Sequence, residues 1–442
     1  MKTTMLAGLL LAALALLPVL AAPPAAAAQG TAAAKFDPVA ATNAYLASVP
    51  ADKHARSDAY FEGGYWLQLW NFLIGAGIAL LLLTQRWSAR MRDLAERLTP
   101  WKPVQTFLYW VQYFVVVALI SLPMTIYEGF IREHAYGLAT QGFGGWLGDQ
   151  AKGWALGLVF GGLLVAVLYG VIRRLPRTWW LWGSVVTVAF MALVMLIAPV
   201  FIMPLFNTYT RLTDPKLRGP ILQMARANGI DATDVWVADA SRQSTRVSAN
   251  VSGFLGTERI TLNDNLLKRC SLPEIEAVMG HEMGHYVMNH VYKGSLFFAV
   301  LIAIGFAFLR WAFEVVVKRK GDAWGIRGIG DVAGLPLLAL LLSTFFFVLT
   351  PITNSYTRIA EAEADMYGLN AARQPDGFAE VSLKLGEYRK LAPGHLEEIV
   401  FFDHPSGRSR ILMAMRWKAE NLAATEPAAS LPPVAGSGTS RP

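Results

Sequence analysis

HEMGHYVMNHVYKGSLFFAVLIAIGFAFLRWAFEVVV, residues His281–Val317, carries two patterns in one run. Three histidines crowd its first ten residues. From Gly294 to Val317 only Arg310 and Glu314 are charged, over a length that can cross a bilayer, which takes about 20 apolar residues. Arg310 and Glu314 are four apart, so on a helix they share a face and can pair, which lowers the cost of charge in lipid. The run predicts a chemistry-bearing helix that leads into a membrane helix.

Outward from this run lie five more uncharged stretches of membrane length: Tyr65–Thr84, Pro103–Tyr127, Gly153–Ile172, Trp179–Phe206 and Val332–Ile352. The composition agrees. Of 442 residues 54% are hydrophobic and 16% charged, against about 25% charged in a soluble domain, and mean hydropathy is +0.37. Such a chain has ample apolar surface to bury and is not disordered. A single cysteine, Cys270, excludes a disulfide framework and a Cys-rich metal site. The net charge of +7 marks cytoplasmic loops in a membrane protein, and no pattern points to nucleic acid. Residues 1–28 read as a signal peptide, or as a first membrane helix if uncleaved. Lys2, an apolar run and Ala-rich A-x-A sites carry that reading, and Pro18, Pro23 and Pro24 favour cleavage.

Residues 207–293 mix charged and apolar side chains as a soluble domain does. Asp214–Asn228 is an amphipathic helix ended by Gly229. Val235–Ala240 and Arg259–Asn263 read as strands, with Arg246–Ser252 as a weaker third. A helix is expected from Leu272, with Pro273 and Glu274 in its first turn. It carries His281-Glu282-Met283-Gly284-His285. Histidines four apart lie one turn apart on one face, so His281 and His285 can hold one ion. Glu282, offset by one residue, can act as general base on a water at the metal's open position. Gly284 costs about 1 kcal/mol inside a helix, so a closely packed neighbour is expected there.

A catalytic zinc site needs a third protein ligand and one open position. His290 lies about 500° around the helix from His285, off the ligand face. A carboxylate from a second helix is expected instead. NSYTRIAEAEAD, Asn354–Asp365, places Glu361 and Asp365 four apart, with Arg358 three residues before Glu361 on the same face. Glu361 as ligand and Asp365 orienting a ligand histidine is chemically coherent, with Arg358 and Asn354 as supporting residues. A solvated acidic helix fits the spacing equally. Glu363 points away from that face. Two membrane crossings separate the histidines from Glu361, which returns the chain to the same side. His285 and Glu361 each lie nine residues from an apolar stretch, roughly 13 Å along a helix, so the site sits at or dips into the membrane surface.

Together these segments resemble the integral-membrane zinc endopeptidases typified by the type I CAAX prenyl protease of yeast and animals, here as a bacterial member. The resemblance runs from about Ala55 to Arg410. PVFIMPLFN (Pro199–Asn207) and ERITLNDNLL (Glu258–Leu267) are similar to its segments before the zinc helix. HEMGHYVMNH (His281–His290) matches its H-E-x-G-H helix, and TRIAEAEAD (Thr357–Asp365) its [ST]-R-x-x-E-x-x-A-D segment. Asp403-His404-Pro405 with Arg410-Ile411 matches its late H-P…R-I segment. The resemblance implies zinc ligands His281, His285 and Glu361, Glu282 as base, and His404 as a donor to the oxyanion. It also implies a substrate-binding strand at Ser248, Ala249 and Asn250, where Ser248 replaces the family's usual Asn.

The expected fold is mainly α: a polytopic membrane helix bundle with a small α+β zincin-like catalytic domain. A signal peptide or first helix (1–28) precedes a polar segment with four membrane helices (29–206). The catalytic domain (207–293), two membrane helices (294–352), a helical segment with the third ligand (353–422) and a disordered tail (423–442) follow. The expected function is a zinc-dependent metalloendopeptidase with one zinc per chain, acting on membrane-associated or lipid-modified polypeptides among membrane lipid. The alternative is a membrane carrier or quality-control chaperone with a structural metal. A closed structural site has no use for Glu282, and a chaperone relative would show a damaged HExxH. Oligomeric state is not legible. The loops Gln85–Lys102, Arg173–Arg177 and Lys318–Asp331 share one side and are rich in Arg and Lys, whereas Glu128–Lys152 on the other side has only Arg132 and Lys152. The positive-inside rule then puts the catalytic domain in the periplasm of a bacterial inner membrane. The family resemblance implies the cytosolic side.

Overall fold

The computed structural model describes residues 36–252 and 258–422. The expected signal peptide, the tail from 423, and Gly253 at the end of the expected substrate strand lie outside them. Helices α1 (Pro38–Ala47), α2 (Ala51–Thr84), α3 (Trp87–Leu98), α4 (Lys102–Ile126), α5 (Phe143–Arg174) and α6 (Trp179–Ile197) come first. A small mixed domain follows, with β1 (Tyr209–Arg211), α7 (Pro215–Ala227), β2 (Val235–Ala238), β3 (Ala249–Ser252), β4 (Arg259–Asn263), α8 (Asp264–Arg269) and α9 (Leu272–Val287). The chain ends with α10 (His290–Trp324), α11 (Leu335–Ala372), α12 (Pro375–Leu385), α13 (His395–Phe401) and α14 (Gly407–Asn421).

Among the described residues, six helical segments are long and apolar enough to cross a membrane: Ala51–Thr84, Lys102–Ala135, Phe143–Arg174, Trp179–Leu205, His290–Trp324 and Val332–Ala372. The second and fourth pass through π-helical turns at Tyr127–Arg132 and Ala198–Ile202. Pro123 and Pro199 sit at these places. A proline has no N–H for the ladder, so the hydrogen bonds shift register there. The six segments pack side by side in the cyclic order α2, α4, α5, α6, α10, α11 and back to α2. Their ends away from the catalytic domain are sealed by a core of Leu83, Tyr109, Ile172, Trp179, Phe313 and Leu337.

The catalytic domain has its own core, in which Ile221, Ile260, Leu262, Met279 and Met283 are fully buried. Its strands lie in the order β1-β2-β4-β3. β2 and β4 are parallel, while β1 and β3 run antiparallel to their neighbours. β3 is therefore an edge strand, and it packs against α9.

Several expected boundaries move. α2 begins at Ala51, well before the apolar stretch at Tyr65, because a helix needs no apolar run where it leaves lipid. The boundary expected at 352/353 falls inside α11, one helix of 38 residues that continues through Pro351. Likewise α10 starts at His290, ahead of the expected 293/294 boundary. Gly142–Gly145 is the N-cap and first turn of α5. The short strand β1 escapes sequence reading because three residues cannot show an alternation.

Candidate metal centre

α9 begins with a capping box. The Glu274 carboxylate accepts from the Ser271 N–H (2.6 Å) and hydroxyl (2.8 Å), with Pro273 in the first turn. The helix then runs unbroken through His281 and His285. α11 crosses it backbone against backbone. A Cβ on Gly284 would stand 3.1 Å from Ala364 Cα, and one on Gly280 would stand 2.9 Å from the Gly368 carbonyl. This is the close neighbour that Gly284 called for, and it carries Glu361 up to the histidines.

His281 Nε2 and His285 Nε2 are 3.1 Å apart. One Glu361 oxygen lies 3.3 Å from His281 Nε2 and the other 3.3 Å from His285 Nε2. Among the described residues, these three give one group of ligand atoms within 4.8 Å of one another. Burial alone would disfavour positive charge at His281. The hydrogen bonds to Asp365 and Glu361 more than offset it and raise the imidazole to about 10. The pocket is thus built to hold positive charge at the point where three donors converge, which fits a metal ion.

The outer partners fix these donors. Asp365 Oδ1 accepts from His281 Nδ1 at 2.7 Å, which leaves the Nε2 lone pair pointing at the centre. Asp365 is fully buried and takes two bonds from Arg410, Nε at 2.9 Å and Nη2 at 2.5 Å. His285 Nδ1 lies 2.9 Å from His290 Nδ1, and His290 Nε2 lies 3.1 Å from Glu363. A proton donated along that line, His285 to His290 to Glu363, sets the His285 tautomer in the same way. The roles of His290, Glu363 and Arg410 here were not foreseen. His290 is not in the group of ligand atoms, and its offset is what carries it to the far side of His285. The only signal was a third histidine close behind the pair.

Glu282 lines a cavity of about 200 Å³ with His281, Glu361, His404 and Arg410. Burial raises its carboxyl above the ordinary glutamate value, more than the two histidines lower it. His404 Nε2 stands 3.3 Å from Glu361, and its Nδ1 is 2.8 Å from Asp403. Burial works against charge on Asp403, but the hydrogen bond to His404 holds its carboxyl below the usual range. Arg358 and Asn354 do not touch the ligand groups. Arg358 donates to the Glu398 (2.8 Å) and Phe402 (2.5 Å) carbonyls, and Asn354 to the Val400 carbonyl (2.9 Å). They satisfy the open C-terminal carbonyls of α13 and so hold the segment that presents His404. Ser248 and Ala249 line the cavity together with Tyr388 and Arg389, whereas Asn250 is not among the lining residues.

The family model described as "CAAX prenyl protease N-terminal, five membrane helices" matches residues 39–208, and that of "Peptidase family M48" matches 211–418. The "Uncharacterized metalloprotease YhfN" of Bacillus subtilis (strain 168) is 30% identical over 349 residues, 77% of this chain and 82% of that one. The "Probable CAAX prenyl protease 1" of Schizosaccharomyces pombe is 30% identical over 267 residues, covering 56% of this chain. The chain spans about half the length of that relative, 52%. The crystal structure of S. mikatae Ste24p superposes with a TM-score of 0.70 over 83% of this chain and 89% of that one, at 22% identity.

Proposed function

The chain belongs to peptidase family M48 as an integral-membrane metalloendopeptidase, and we propose that its metal is zinc, held by His281, His285 and Glu361. The observation that carries this reading is the donor spacing. Four ligands about 2.0–2.1 Å from zinc in a tetrahedron stand about 3.3 Å from one another. The two imidazole nitrogens stand 3.1 Å apart, each has one Glu361 oxygen at 3.3 Å, and His281 and Glu361 face the cavity. When bound, zinc supplies Lewis acidity to the scissile carbonyl and acidifies water.

The chain's own residues do the rest. Glu282 accepts the proton of the attacking water and returns it to the leaving amine. Its partly buried setting suits it to carry that proton. His404, held through its Nδ1 by the Asp403 carboxylate, lines the cavity and donates to the developing oxyanion. The outer edge of β3 at Ala249, with Ser248 just before it, can add the substrate as another strand, mostly through backbone groups, which tolerates Ser248 in place of Asn. A carrier or chaperone would have no use for a carboxylate at the open side of the donors.

The substrates are membrane-associated or misfolded membrane polypeptides, with prenylated CAAX peptides as a further class, as the name of the fission-yeast relative suggests. A closed ring of six helices is more than a tether needs, and it supports delivery from a sheltered, lipid-flanked chamber. A prenylated peptide should therefore be cut faster than its unprenylated twin, and both faster than casein, in liposomes as in detergent. Equal rates on all three would remove the case for a membrane-fed chamber.

The three Arg- and Lys-rich connections lie at the ends of the bundle away from the catalytic domain. By the positive-inside rule they are cytoplasmic and the site faces the periplasm of a bacterial inner membrane. Alkaline phosphatase, which needs export to fold, is expected to be active when fused after Ile411. A fusion active only with a cytoplasmic reporter would reverse the orientation.

A further inference from the structure

At the far end of the bundle from the metal centre, a cavity of about 310 Å³ opens between α3, the start of α4, the end of α5 and the turn before α11. Its charged lining is Arg92, Glu96, Lys102, Arg173, Arg327 and Asp331. The acids are already engaged. Asp331 takes Arg92 at 2.5 Å, and Glu96 takes Arg327 at 2.9 Å. Two of the cations are less tightly held by the acids. Arg173 donates to the Gly330 carbonyl (3.1 Å) and the Thr106 hydroxyl (3.0 Å), and no carboxylate among the described residues forms an ion pair with it. Lys102 is exposed and forms only a long ion pair, 3.6 Å, with Glu96, which Arg327 already holds at 2.9 Å.

The depth of this cavity is set by α3. Trp87, Leu94 and Leu98 form a stripe at helical spacing and are 38%, 46% and 63% exposed, and Trp101 just beyond is 65% exposed. The opposite face buries Ser88, Ala89, Arg92 and Ala95 against the bundle. An apolar stripe on a short amphipathic helix between two crossings lies in the headgroup–acyl boundary, and tryptophans anchor at that level. A cavity lined by Arg173, without a carboxylate partner among the described residues, and by the exposed, loosely paired Lys102 is thus held where lipid phosphates are.

We propose that this cavity binds a phosphate-bearing anion, presented as the headgroup of an anionic phospholipid. Guanidinium and ammonium groups are the usual partners of phosphate. A zwitterionic headgroup would bring its own cation against a basic wall. Bound there, the headgroup ties α5 to α4 and to the turn leading into α11, the helix that carries Glu361.

The test uses the purified full chain in detergent, with Tm followed against short-chain phosphatidylglycerol, short-chain phosphatidylcholine or inorganic phosphate. Phosphatidylglycerol should raise Tm saturably, and phosphatidylcholine should not. Lys102→Gln and Arg173→Gln should each need at least about tenfold more lipid for the half-maximal rise, the scale of one lost charge-assisted contact. Arg173→Lys should keep most of the response. Lys102 is exposed, so its variant folds even if Arg173→Gln does not. A saturable, variant-sensitive rise with inorganic phosphate would assign the same chemistry to a free anion. Equal responses to both lipids, or wild-type titrations in Lys102→Gln and Arg173→Gln, would overturn the site.

Discussion

Glu282→Gln is expected to keep its metal and lose at least about 100-fold in peptidase rate, the usual scale for a positioned general base. The amide is isosteric, so the cavity and the α9 register are unchanged. It cannot accept a proton, and that is the only function removed. The ligand variants should behave differently. His285→Ala or Glu361→Ala removes one of three donors and should lose the metal together with the activity. Metal content measured beside peptide cleavage separates the two cases: metal retained and rate lost for Glu282→Gln, both lost for the ligands. A Glu282→Gln protein that cleaves at the wild-type rate would remove the carboxylate from the mechanism. A structural metal site would show the same pattern of metal loss with no peptidase activity in the wild type, so the wild-type rate decides between the two classes.

How far the sequence led depended on the range of the interaction. His281 and His285 are four residues apart, and helical geometry alone puts them together. Glu361 is 80 positions from His281, and spacing could offer it only as one acid on an acidic helix. Counting two crossings returned it to the right side, and the match to known motifs singled it out. Arg410 was legible only as part of a late motif, because its partner Asp365 is 45 residues away and the pairing is purely tertiary. Helix ends were misread for a different reason. Hydropathy reports where lipid ends, and α2 and α11 run on past it. The amphipathic α3 lay inside a loop counted only for its charges, yet it fixes the depth of the second cavity. β3 was legible as a weak alternation, but not its place at the sheet edge, which follows from a pairing order that puts β4 beside β2.

Gly368→Ala should disable the site without replacing a ligand. On α9, Gly280 and Gly284 are four apart, and Ala364 and Gly368 repeat that spacing on α11, so a ridge of small residues on each helix lies in the other's groove. The tightest point is Gly368. A Cβ there would stand 2.7 Å from the His281 backbone nitrogen and 3.0 Å from Gly280 C. Those are backbone atoms in a helix and have no rotamer through which to move aside, so α9 and α11 must separate. Overpacking of this kind costs about 1–3 kcal/mol, and it falls where the ligands converge. Glu361 and Asp365 move with α11, His281 and His285 with α9. A displacement near 1 Å at a reacting centre costs about 100-fold. Gly368→Ala should therefore show a lower Tm, weaker metal retention and a rate reduced by about that factor. Gly64→Ala is the control: nothing lies within 4 Å of its Cβ position, and alanine improves a helix by about 1 kcal/mol, so Tm should hold or rise and activity stay unchanged. Wild-type Tm, metal content and rate in Gly368→Ala would show that the helix crossing has room to spare and that its closeness does not set the metal site.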